Sequence, residues 1–131
     1  GADRVHALAD EPDALARYAA GKGHFDVAFE CSGSGPALVG ALGVARPGGT
    51  VVQVGVGGDV SVPLGAIVAR EARVVGTFRF HAEFAHAVEV LASGRLDPSP
   101  MLTEVVPAKD AVRAFDLASD RKRAMKVQLA F

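Results

Sequence analysis

The stretch "FDVAFECSGSGPALVGALGVARPGGTVVQVGVGG", Phe25 to Gly58, decides the fold. Its first six residues, "FDVAFE", are rich in apolar and aromatic side chains and read as a strand. From Gly35 the character changes. Leu38, Leu42 and Ala45 recur at a spacing near 3.6, so a helix is expected, stopped by Pro47, Gly48 and Gly49. "TVVQVGVGG", Thr50 to Gly58, is β-branched and ends in glycines, which predicts a second strand. Strand, helix, strand is the unit that joins two parallel strands by a crossover.

Downstream the alternation continues. "PLGAIVAREA", opened by Pro63, predicts a short helix, and "RVVGTFRF", Arg73 to Phe80, a third strand. "HAEFAHAVEVLASG" then places Phe84, Val88 and Leu91 on one helical face and ends at Gly94. Near-continuous hydrophobicity within the strands predicts burial on both faces, so the fold class is α/β with a parallel sheet. After Gly94 the texture changes. "RLDPSP" reads as a connector, "MLTEVVP" as a strand, "AKDAVRAFDLASD" as a helix with Ala111, Phe115 and Ala118 on one side, and "AMKVQLAF" as a last strand. This tail either extends the sheet or returns into another domain.

Bulk properties exclude several classes. The chain has 131 residues, 50% hydrophobic and 22% charged, which is a globular composition of about one domain. A formal net charge of −1 gives no electrostatic reason to expect nucleic acid or an anionic membrane as partner. The single cysteine, Cys31, forms no internal disulfide, so the cytoplasm is the expected compartment. No apolar run approaches the ~20 residues of a membrane span, and "GADRVHALADEPDA" is too charged for a signal peptide. A start without methionine, directly in structured-looking sequence, suggests a fragment.

Chemistry is sought where the strands end, because ligands of open parallel sheets bind beyond the carboxyl ends of the strands. The three strand ends carry "ECSGSG", "VGVGG" and "FRFH". Two are rich in Gly and Ser. Those glycines either make simple strand-to-helix turns or let a ligand approach the backbone. The dinucleotide fingerprint G-x-G-x-x-G is absent, since "GSGPALVG" has glycines at 33, 35 and 40 and no acidic ribose-reading residue follows at the right distance. His81 and His86 in "HAEFAH" are five apart and do not share a helical face, so a metal pair is not expected there. Cys31 reads most simply as a buried thiol at a strand end, and the basic "DRKRAMK" as a solvated helix end. The arginine between two phenylalanines in "TFRFH" is either a solvated strand end or a ligand contact.

In order, "GADRV", "FDVAFECSGSGPAL", "RPGGTVVQVG", "AVRAF" and "KVQLAF" resemble the C-terminal part of the medium-chain zinc-dependent dehydrogenases. "GTFRFHAEF", "LASGRLDPSPMLT" and "AFDLASDRKRAMKVQLAF" are similar to its polyol, sorbitol dehydrogenase-like branch, and within it most of all to the L-idonate 5-dehydrogenases. The resemblance spans essentially the whole chain. No single motif is specific; their order and spacing are. It implies the second half of a Rossmann-type doubly wound parallel sheet in residues 1–98, lacking its first two strands. Residues 99–131 would return to a GroES-like catalytic domain that is otherwise absent. "DRVHALA" would hold the third strand of that sheet, followed by the fourth, fifth and sixth. The glycine fingerprint, the ribose-reading acid and the zinc ligands would lie upstream of Gly1. The free edge of "FDVAFE" would then be an aggregation liability.

The same resemblance implies NAD or NADP as cofactor, with zinc bound by residues outside this segment, and a polyol or sugar acid as substrate. Cofactor contacts would come from Val54, Gly55, Val56, Thr77, Phe78 and Arg79, with Cys31 and Ser32 on the adenosine side. Arg79 and Phe80 would meet the substrate, phenylalanine standing where sorbitol dehydrogenases tend to carry tyrosine. A guanidinium suits a polyhydroxy acid because its fixed donors grip hydroxyls or a carboxylate in pairs. No catalytic residue and no metal ligand is assigned within the chain, which alone would not catalyse. A homo-oligomer would form through the Val74–Phe80 strand. The alternatives are a zinc-free medium-chain reductase, a non-catalytic nucleotide-binding or assembly module, and a protein-interaction fragment.

Overall fold

A computed structural model describes residues 2–131. They form two compact units, one ending at Arg79 and one running from Phe80 to Phe131; the domain division expected from the sequence lies later, after Pro98.

In the first unit a short helix, α1 (Ala16–Ala19), precedes strand β1 (Phe25–Glu30), helix α2 (Gly35–Val44), strand β2 (Ala45–Gln53), helix α3 (Leu64–Arg70) and strand β3 (Arg73–Gly76). The three strands make one parallel sheet in the order β1-β2-β3. The expected α/β architecture is therefore present. Its core is small: Leu38 and Leu42 from α2 meet Ala45 and Val51 of β2, with Ala28, Val62 and Ile67 packed around them. Leu42 is 1% exposed and Val51 wholly buried, each burial contributing about 1.5–3 kcal/mol.

Four expected boundaries move, each for a local reason. Helix α2 ends at Val44 rather than Pro47, because Arg46 precedes a proline and its helical conformation is disfavoured. Ala45 becomes extended and already pairs with Phe25, so β2 begins there; the register then slips before Val27 pairs with Thr50. The second strand ends at Gln53, not Gly58. The N–H groups of Val54 and Gly55 both turn to the carbonyl of Glu30, at 2.8 and 2.9 Å, which takes them off the ladder. The third strand therefore stops at Gly76 rather than Phe80. Thr77 N–H still reaches the Gln53 carbonyl at 3.1 Å, but beyond it β2 offers no further partner.

One expected element does not form. "DRVHALA" forms no strand. A strand exists by pairing, and residues 4–8 make no ladder with any strand of the described residues. Strand β1 is likewise paired on one side only, and Phe25, Val27 and Phe29 along it are partly to mostly exposed.

The second unit holds helix α4 (Glu83–Ala92), strand β4 (Leu102–Pro107), helix α5 (Ala111–Ser119) and strand β5 (Lys126–Ala130). The tail does not extend the first sheet. β4 and β5 pair in parallel as a sheet of their own, with Val106 of β4 and Ala114 of α5 buried. Arg113 of α5 donates to Glu104 of β4 at 2.8 Å, which holds that carboxyl below its ordinary range. Among the described residues no helix is long and apolar enough to cross a membrane.

Candidate functional site

A cavity of about 360 Å³ opens beyond the carboxyl ends of all three strands of the first sheet. Gly33 and Ser34 line it after β1, Gln53 at the end of β2 with Val54 through Gly58 beyond it, and Val74 and Gly76 of β3 with Thr77 beyond them, together with Leu38 and Val60. No charged side chain lines it.

Its wall is built from backbone pressed against backbone. A Cβ added to Gly55 would stand 2.0 Å from the Gly33 nitrogen, and one added to Gly57 would stand 2.0 Å from the Gly33 carbonyl oxygen. Gly33 itself has φ +72°, a conformation that glycine adopts at no steric cost, and a Cβ there would meet the Val56 carbonyl at 2.6 Å. The loops after β1 and β2 thus interlock through three glycines. Side chains at these positions would force the loops apart.

Glu30 fastens the interlock from beneath. Its carboxylate, only 3% exposed, accepts from Ser32 N–H at 2.7 Å, from the Ser32 hydroxyl, from Gly33 N–H at 2.9 Å and from the Gln53 side-chain amide. The same Gln53 nitrogen donates to the Gly55 carbonyl at 2.8 Å, while its buried Oε1 has no hydrogen-bond partner. The Ser32 hydroxyl leads the contacts that hold the Glu30 carboxyl down to about 2, from 4.5, against the opposing effect of burial, with the two backbone N–H groups and Gln53 adding to it. A carboxylate whose folded pKa is depressed contributes stability in full above its unfolded value and loses it as the medium acidifies. Stability should therefore fall as pH drops from about 4.5 towards 2, and Glu30→Gln should remove that part of the acid transition. Denaturant midpoints measured at successive pH values check this.

The residues singled out from the sequence fall into distinct places. Val54, Gly55, Val56 and Thr77 line the cavity together. Cys31 and Ser32 do not line it. Cys31 is exposed, which corrects its reading as a buried thiol: it follows the last residue of β1 and lies outside the sheet. The Ser32 hydroxyl is spent on Glu30 and on accepting from Ser34 N–H at 3.2 Å. Phe78 and Arg79 stand outside the lining, the guanidinium over the Phe78 ring at 4.8 Å, and Arg79 adopts a left-handed φ of +61° that is rare for a non-glycine residue. Phe80 stacks on Phe84 at 4.8 Å. His81 precedes α4 and His86 lies within it, both exposed. Among the described residues no three His, Cys, Asp or Glu side chains gather as they would around a metal ion.

Glu30, Gly33 and Gln53 were not singled out from the sequence. The signal available was an acid ending a strand just before a Gly/Ser-rich loop, and it became legible only once β2 placed Gln53 opposite Glu30.

Comparison with known proteins converges on one group. The model of the family described as "Zinc-binding dehydrogenase" matches residues 1–93. The L-idonate 5-dehydrogenase (NAD(P)(+)) of Escherichia coli K12 is 40% identical over 91% of this chain and 35% of its own length. The D-xylulose reductase of Saccharomyces cerevisiae is 36% identical over 82% of this chain and 31% of its own. The crystal structure of L-idonate 5-dehydrogenase from E. coli K-12 superposes with a TM-score of 0.85 over 88% of this chain and 34% of that one. The chain thus spans about a third of the length of the relatives it matches. The resemblance read from the sequence is borne out.

Proposed function

The chain belongs to the zinc-binding dehydrogenase family, and we propose that its interlocked glycine cradle holds the nicotinamide half of NAD or NADP while a secondary alcohol of a polyol or sugar acid is oxidised. The single observation that carries this reading is the cavity at the carboxyl ends of three parallel strands, walled by Gly33, Gly55 and Gly57. Two features of this chain fit such a ligand. The wall is side-chain-free backbone at Gly33, Gly55 and Gly57, which lets a flat ring approach it, and the lining carries no charge, as suits the ring rather than the pyrophosphate. Held there, the nicotinamide would supply the hydride acceptor for the carbon bearing the hydroxyl, the hydroxyl proton leaving to solvent or to a base outside these residues. Val54, Gly55, Val56 and Thr77 orient the ring and keep water from it. Phe78, Arg79, Cys31 and Ser32 complete the proposed cofactor surround.

Arg79, with Phe80, is the proposed substrate contact. The left-handed backbone at Arg79 is a conformation that persists where the surroundings impose it, and such outliers gather at ligand sites. Asparagine tolerates that conformation better than other non-glycine residues, so Arg79→Asn removes the guanidinium with little added strain. It is expected to raise KM for the sugar acid about tenfold, as losing one charged hydrogen-bonding partner would, and to change KM for the dinucleotide less.

Zinc, which the family description implies, does not fit the residues described: no metal-holding group gathers among them. It would be held by other residues. Residues 99–131, including β4, α5 and β5, are the proposed return to the catalytic domain. A second copy would pair along the free edge of β3, now Arg73–Gly76 rather than Val74–Phe80. The single cysteine is consistent with a cytoplasmic setting.

The test is an assay of NAD- and NADP-linked oxidation of L-idonate, D-sorbitol and xylitol by the full natural polypeptide that carries this sequence, followed by NAD(P)H absorbance. Turnover of at least one, with the sugar acid preferred, supports the reading. No turnover of any, with zinc supplied, overturns it.

A further inference from the structure

The geometry points to Glu30 as a specificity-determining charge that favours the dinucleotide whose nicotinamide ring is oxidised and cationic over the one whose ring is reduced and neutral. This rests on reading the cavity as the nicotinamide site.

The carboxylate is buried at the end of β1 and stands one hydrogen bond behind two residues of the cavity wall. Gly33 N–H reaches it at 2.9 Å, and the Gln53 amide donates to the same oxygen. All four of its donors are neutral groups. No lysine, arginine or histidine pairs with it among the described residues. The depressed pKa keeps it ionised at neutral pH. Neutral donors redistribute a negative charge without cancelling it, and a charge set in a poorly polarisable wall acts over several ångströms. An oxidised nicotinamide ring carries a positive charge and a reduced ring carries none. A fixed anion behind the wall therefore stabilises one redox form of the ligand and leaves the other nearly untouched.

Glu30 also positions the cradle, and a purely structural role would look different. Loss of loop geometry weakens both redox forms alike, whereas loss of charge changes their ratio.

Binding of NAD+ and NADH is measured by titration calorimetry on the full natural polypeptide carrying this sequence, wild type and Glu30→Gln. Glu30→Gln is expected to raise the Kd of NAD+ about tenfold more than that of NADH, the size of one charge acting across several ångströms of protein. Equal changes in both constants, or none in either, overturn the inference. Should Glu30→Gln fail to fold, the wild-type protein decides the matter with benzamide adenine dinucleotide, whose ring is neutral. NAD+ is expected to bind about tenfold more tightly than this analogue, and equal affinities overturn the inference. A wild-type protein that binds none of the three ligands overturns the nicotinamide reading itself, a distinguishable failure, and the charge assignment falls with it.

Discussion

Gly55→Ala is expected to abolish dinucleotide binding at accessible concentrations, raising Kd by about a hundredfold or more. The new Cβ would sit 2.0 Å from the Gly33 nitrogen, 2.7 Å from the Ser32 carbonyl carbon and 2.8 Å from that of Cys31. All three are backbone atoms, so no rotamer change relieves the overlap. Overpacking of this kind costs about 1–3 kcal/mol when the backbone can shift. Here the shift itself is the damage, because separating the loops breaks the N–H contacts from Ser32 and Gly33 to Glu30 that shape the cavity. Gly57→Ala meets the Gly33 oxygen equally closely and should behave alike. Gly43→Ala is the control. It lies inside α2 with nothing within 4 Å of the added carbon, and should stabilise by about 0.5–1 kcal/mol without touching binding. Calorimetric titration beside thermal denaturation separates the two effects.

Leu42→Ala should cost about 3 kcal/mol or more, the usual outcome when a wholly enclosed leucine leaves a cavity that its surroundings cannot close. Leu42 is 1% exposed and lies at the centre of a cluster with only Leu38, Ala45 and Val51 as fully buried neighbours. A domain has about 5–15 kcal/mol of stability in all, so a loss of this size removes a large fraction of it. The denaturant midpoint reads the result. A loss below about 1 kcal/mol would mean that the chain carries its stability elsewhere.

Much of the fold was legible because it depends on local pattern. Leu38 and Leu42 announce α2, Thr50 to Val52 announce β2, and the glycines at strand ends mark where a ligand could approach. What escaped depends on partners distant in sequence. "DRVHALA" has the composition of a strand but makes no ladder with any described strand. The end of β2 is fixed by two N–H groups sharing the Glu30 carbonyl, and the end of β3 by the end of β2. The candidate site was half visible. Val54 to Val56 and Thr77 could be named, because they follow strands directly. Glu30 and Gln53 could not, because their meeting is a matter of register between β1 and β2. Ser32 was legible as a small polar residue, yet its hydroxyl serves the carboxylate below rather than the space above.

The most direct test of the account is to add NADH to the isotopically labelled protein and follow its backbone amide resonances. The cradle reading predicts shifts at Gly33, Val54, Gly55, Val56 and Thr77, and the loss of all of them in Gly55→Ala. Shifts confined to other residues, or none at millimolar NADH, would contradict it.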